Sequence, residues 1–520
     1  MEVDPAAGPQ AQAAGLNAGE DAPSRATHVA VRRLFLRLLA VVYLLAFGSL
    51  AVQMQGLVGS GGILPIGVLL DWARSHYGPE RYWLLPTLCW LSPGDGLLRG
   101  LCWGGALLSI LLFLELAPVL VLFLLWAFYL SLVTAGQVFL GYQWDGLLLE
   151  TGLLAILLAP PGLRPRLARQ AHVPGHRLWL LRWLLFRLMF SSGAVKLLSG
   201  DEAWRGLTAL RFHYETQPLP TRLAWYAHQL PGWFHSLSTV VMFGVELLAP
   251  LLIFGPRRLR LGGGAAIAAL QVLIAATGNY GFFNLLTLAL CVVLLDDQAL
   301  PRRWRGLVET AAPPRARLSW RGASSAALAG ALFLLSGVVF SGTLGLRIPW
   351  PRPILRVLDV ADSFRSINGY GLFAVMTTSR PEIVVEGSAD GVTWVPYGFK
   401  WKPVDPHRAP GFVAPHQPRL DWQMWFAALG TCDRNPWFVQ FLGRLLQGSP
   451  EVLGLLAGNP FPEKPPRQIR AVLYEYRFSD PATRREDGAW WQRRTLGLYC
   501  PVLSLKDEAR ASSTGEDPAH

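Results

Sequence analysis

Long apolar stretches separated by short polar ones fill the first two-thirds of the chain. They fall at about 34–54, 97–115, 117–135, 146–160, 179–198, 236–255, 263–278, 281–295 and 323–346. A helix rising 1.5 Å per residue needs about 20 such residues to cross roughly 30 Å of hydrocarbon. The recurrence therefore predicts a polytopic α-helical membrane protein of about nine spans. The runs 263–278 and 281–295 are separated by TGNYGFFN, which suits either a tight turn between two spans or a kink in one helix. The fourth run, in GYQWDGLLLETGLLAILLAP, is short, and its Trp-Asp-Gly start predicts a helix entering the bilayer late, from a loop packed on protein.

Beyond residue 347 the pattern changes. PEIVVEGSADGVTWVPYGFKW alternates apolar and polar residues on either side of SADG, which predicts a β-hairpin. IRAVLYEYRFSD reads as a further strand, while RLDWQMWFAALG and PWFVQFLGRLLQGSPEVLGLLAG read as helices. The expected organisation is a disordered tail at 1–32, a membrane domain at 33–347, a soluble α+β domain at 348–507 and a disordered tail at 508–520.

Composition agrees. The 520 residues are 52% hydrophobic and only 16% charged, against about a quarter charged in a soluble domain. The net charge of +12 sits in short connections rather than on a nucleic-acid face. Arg32 and Arg33, Arg164, Arg166 and Arg169, Arg257, Arg258 and Arg260, and Arg302, Arg303, Arg305, Arg315 and Arg317 follow one another at alternate ends of the nine runs. By the positive-inside rule the N-terminus is cytoplasmic and everything after 347 is extracytoplasmic. The five cysteines, Cys89, Cys102, Cys291, Cys432 and Cys500, show no C-x-x-C spacing. Such an odd, unpatterned set argues against a disulfide framework and a zinc site, and no cofactor motif is present.

This sidedness gathers the polar residues that carry chemistry. Lys196, the one lysine among the apolar runs, ends the fifth; an ammonium there either snorkels to the interface or is buried and tuned as a base. Around it fall Asp145, Asp201, Trp204, His213, Tyr214, Glu215 and Asn279. In an extended RFHYETQPLP, His213 and Glu215 would share a face. Glu115, Glu150 and Glu246 lie in apolar surroundings, where each is expected to face other helices and find a partner. In the soluble part Trp422, Trp425, Phe426 and Trp437 are candidates for an aromatic client-binding surface, although the same helical spacing also suits a core.

Several strings are long enough to be specific. WDGLLLETGLLAILLAP, FRLMFSSGAVKLLSGDEAW, LTALRFHYETQPLP, GNYGFFNLLTLALC followed by DD, RLDWQMWFAALG, GNPFPEKPP, YEYRFSD and WWQRR resemble, in order, the lipase maturation factor family from about residue 33 to 505. The resemblance implies a polytopic membrane protein that assists folding and assembly of extracytoplasmic clients, with a client-contacting C-terminal domain. In animals these clients are dimeric secreted lipases and the membrane is that of the endoplasmic reticulum. The absence of an N-x-S/T sequon and the preference for Arg over Lys point to a GC-rich, bacterial-type genome, for which the membrane would be the cytoplasmic one. A shorter stretch, Gly193-x-x-Lys196-Leu197 with Trp204, resembles vitamin K-dependent γ-carboxylases, where the matching lysine is the catalytic base. It implies an enzymatic alternative to the chaperone-like maturation factor.

Overall fold

The computed structural model describes residues 27–165, 173–301 and 320–505. Its first two-thirds comprise α1 (Val29–Ala51), α2 (Asp95–Phe113), α3 (Pro118–Ala135), α4 (Gln143–Leu158), α5 (Gly175–Leu198), α6 (Ala209–Thr216), α7 (Gly232–Leu252), α8 (Arg257–Thr277), α9 (Phe283–Val292) and α10 (Trp320–Thr343). Seven helices among the described residues are long and apolar enough to span a membrane, so the chain is an integral membrane protein. A helix stands at every expected run, but α4 and α9 have only 16 and 10 residues, about 24 and 15 Å at 1.5 Å per residue. The expected nine spans thus resolve into seven of spanning length and two short helices. TGNYGFFN is a break between two helices: α8 stops at Thr277, and Gly278 forms a lone β-bridge with Pro220.

Charged side chains bind one end of this bundle. Arg33 and Arg37 of α1 both meet Glu115 in the α2–α3 turn. Arg257 and Arg260 of α8 meet Asp296. Asp297 accepts hydrogen bonds from the backbone N–H groups of Val29 and Val31 at 2.9 Å, neutralising free donors at the α1 N-terminus. The Asp-Asp pair after α9 therefore ties α8 and α1 together. The expected tail at 1–32 is shortened accordingly, because α1 starts at Val29; residues 1–26, 166–172, 302–319 and 506–520 lie outside the described residues, with the tails and the arginines placed there, Arg166 and Arg169 included.

After α10 come an exposed amphipathic helix, α11 (Arg352–Ser363), then β1 (Arg380–Ser388), β2 (Val395–Pro396), α12 (Arg419–Ala428), α13 (Pro436–Leu446), β3 (Gln468–Phe478) and β4 (Trp491–Ser504). The strands form an antiparallel sheet in the order β2-β1-β3-β4. The expected hairpin is β1–β2, and its SADG turn is closed by the Asp390 carboxylate accepting from the Val392 and Thr393 N–H groups. Gly391 there has φ +80°, a conformation that side chains with a Cβ rarely adopt.

The cysteines require a correction, since Cys432, just before α13, is bonded to Cys500 in β4. Neither cysteine has a sequence neighbour to announce the pairing, because 68 residues separate them. Replacing both with Ser is expected to cost about 2–4 kcal/mol, read as a lower unfolding midpoint in detergent. Dithiothreitol should reproduce the shift in the wild type and leave the variant unmoved; equal midpoints would show that the bond contributes nothing.

Candidate functional site

The C-terminal part is bolted into the membrane bundle by buried polar groups. Asp145, in the first turn of α4, accepts from Arg419 of α12 at 2.6 and 2.8 Å and from the Tyr129 hydroxyl at 2.5 Å. Five residues further along α4, Glu150 takes Arg187 of α5, the Asn368 N–H at 3.0 Å and the Tyr370 hydroxyl at 2.7 Å. The 364–373 segment thus dips between α3, α4 and α5, with Phe364 stacked on Trp126. Protein groups take up part of its polar backbone there, as a low-dielectric setting favours: the Asn368 and Gly371 N–H groups donate to Glu150 and Gln143, and the Asn368 carbonyl accepts from Arg187. In Trp-Asp-Gly, Gly146 is needed for close approach, since a Cβ would stand 2.8 Å from the Asn368 carboxamide oxygen.

The other predicted polar residues divide between clamps and a cavity. Asp201 caps the Trp204 N–H at 3.0 Å and accepts from the Met376 N–H at 3.2 Å. Asn279 holds Gly411, Val413 and Ala414, and Glu215 accepts from the Phe478 N–H at 3.0 Å. Residues 209–216 are helical, not extended. His213 and Glu215 therefore point about 200° apart, and the expected shared face is corrected: Glu215 faces the sheet while His213 faces a cavity with Tyr214, Trp204 and Lys196.

That cavity, about 510 Å³, lies among α5, α6, α7 and α8. Lys196 does not snorkel. Its ammonium is buried, donating to both Glu246 oxygens at 2.8 and 2.7 Å and to the Ser192 carbonyl at 3.1 Å, with the Trp204 ring 5.3 Å away. Two local features make the pair. The α7 backbone passes through a π-turn at Gly244–Leu248, which turns Glu246 toward α5. Gly193 admits that turn, because a Cβ there would stand 2.9 Å from Leu247 and 3.0 Å from Glu246. Both sequence motifs, GAVK and VELLAP, are thus explained by one buried ion pair. Burial, and then the nearby Lys196, push His213 down to about 4, so its imidazole is neutral near pH 7.

Sequence reasoning missed Arg187, hidden in an apolar run, and Gln271, whose amide reaches the same cavity. The aromatic client candidates need correction: Trp422, Trp425 and Trp437 are buried, and Phe426 alone is exposed. Trp422 packs edge-on against Trp144 of α4 at 4.9 Å, and the Trp425 indole N–H donates to the Thr216 carbonyl. They are the core that joins the two parts.

Residues 30–302 match the lipase maturation factor transmembrane domain and residues 366–501 the lipase maturation factor C-terminal domain. The human protein named lipase maturation factor 2 is 39% identical, the alignment covering 92% of this chain and 83% of that one. Bovine lipase maturation factor 1 is 37% identical over 92% and 89%, and the mouse protein of the same name 35% identical over 96% and 92%. No solved structure matches the chain. Since both domains match in order and the similarity runs almost from end to end, the chain belongs to the lipase maturation factor family.

Proposed function

We propose that the protein is a membrane-embedded maturation factor that assists folding and assembly of secreted client proteins, with lipases as the client class. The observation that carries this reading is the match of both domains to relatives named for lipase maturation, over 92% of the chain. A second feature supports the side on which the work is done. A Cys432–Cys500 bond belongs in an oxidising compartment, and it lies in the part of the chain remote from the arginine-rich end of the bundle. The N-terminus is then cytoplasmic and the C-terminal part extracytoplasmic, in the endoplasmic reticulum lumen of a eukaryote or outside the cytoplasmic membrane of a bacterium.

With the tryptophans buried, the client surface falls to the edge of the sheet. β4 is the outer strand and exposes Leu496, Leu498 and Val502. An apolar strand edge is a template for pairing with another chain, which suits a partner whose own strands are not yet packed. The test is complementation in cells that lack a maturation factor and express a dimeric secreted lipase. This chain is expected to restore active lipase to the medium, and a cross-linking probe at residue 498 to capture the lipase polypeptide. Lipase output at the vector level, despite membrane-inserted and disulfide-bonded protein, sinks the reading.

A further inference from the structure

The cavity beside Lys196 has no part in the client-binding reading. Its walls are largely apolar, and on one side they are also the outside of the protein: Leu237 and Val241 of α7 and Leu273 of α8 line it and are 52%, 57% and 65% exposed. In a bilayer those faces meet acyl chains, so the wall formed by α7 and α8 borders lipid. At 510 Å³ the space falls within the roughly 300–1,000 Å³ of ligand pockets.

The polar wall defines the head group. Gln271 is 2% exposed and its amide oxygen accepts from Asn284 at 2.9 Å, but its Nε2 has only the Met189 sulfur, 3.7 Å away. A thioether is a weak acceptor, and a buried amide donor left so poorly satisfied costs free energy until a better oxygen arrives. Lys196 and Glu246 already neutralise each other, and His213 is uncharged near pH 7. An anionic head would therefore bring an uncompensated charge into an apolar enclosure, which is strongly unfavourable.

We propose that this cavity binds an uncharged lipid with a carbonyl-bearing head, as in an acylglycerol, that enters from the bilayer between α7 and α8 and offers its carbonyl oxygen to Gln271. The site stands apart from client binding, and its failure would leave the maturation reading intact.

The full-length protein in detergent, titrated with 1-monooleoylglycerol or with oleate and followed by native mass spectrometry, tests this. Wild type is expected to bind one monooleoylglycerol at least tenfold more tightly than oleate. Gln271→Met keeps the shape and removes the donor, so its affinity for monooleoylglycerol should fall about tenfold. A Leu237→Trp, Leu273→Trp pair enlarges two side chains on the wall that the cavity shares with the bilayer and should abolish binding by closing the entrance. As a second readout, neutral lipid extracted from protein purified out of membranes should be stoichiometric in wild type and absent from the Trp pair. The proposal is overturned by equal binding of both lipids, by many weak equivalents unaffected by the variants, or by no bound lipid in either experiment.

Discussion

Arg419→Met is expected to release the C-terminal part from the membrane bundle. The guanidinium is 1% exposed and forked onto Asp145, itself fully buried, at 2.6 and 2.8 Å. Removing one partner of such a pair leaves the other as an uncompensated buried charge, which costs about 3–5 kcal/mol. The effect should appear as a much lower unfolding midpoint and as rapid proteolysis between α10 and β1 in protein that still inserts. The control separates lost charge from lost shape. Adding Asp145→Leu and Tyr129→Phe removes the stranded carboxylate and the hydroxyl that bonds it at 2.5 Å, so most of the stability should return, because apolar replacement of a whole buried pair is often neutral. A single variant as stable as wild type would show that the pair does not hold the two parts together.

That anchor also shows what a single chain discloses. The spans were legible because helix-length apolar runs are local signals, and the β1–β2 hairpin because SADG is a local turn. Asp145 stood out as a polar residue starting a short helix, yet its partner lies 274 residues away and no spacing rule connects them. The same limit hid Cys432–Cys500. Local conformation misled where two states share one pattern: RFHYET alternates well enough for a strand, but its backbone groups are satisfied as a helix, which sends His213 and Glu215 to different neighbours. The tryptophans of RLDWQMW were ambiguous for a related reason. An amphipathic stripe is the same whether it meets a client or α4, and only packing against Trp144 decides. The Lys196–Glu246 pair was half visible: both residues were noticed, but the π-turn that joins them has no sequence signature.

Glu150→Leu is the companion test further along α4, where the partner left behind is itself buried. Glu150 is 3% exposed and gathers Arg187, the Asn368 backbone and carboxamide, and the Tyr370 hydroxyl. Leucine fills similar space but strands the Arg187 guanidinium, itself 2% exposed, along with two neutral donors, the Asn368 N–H and the Tyr370 hydroxyl; the Asn368 carboxamide keeps the Gly146 and Arg365 carbonyls. The charge alone should cost about 3–5 kcal/mol, so the variant is expected to accumulate poorly and to lose the 364–373 segment from between α3, α4 and α5. A disulfide-trapping pair distinguishes local from global failure: Gly371→Cys with Val195→Cys, adjacent in the fold, should cross-link in an otherwise wild-type chain and not in Glu150→Leu. Adding Arg187→Leu to Glu150→Leu removes the stranded charge and should restore insertion and accumulation. It should recover the cross-link only in part, because Asn368 and Tyr370 still lack their acceptor. Full cross-linking in the single variant would mean that the segment is held by apolar packing, and that the buried carboxylate is not what draws the C-terminal part into the membrane.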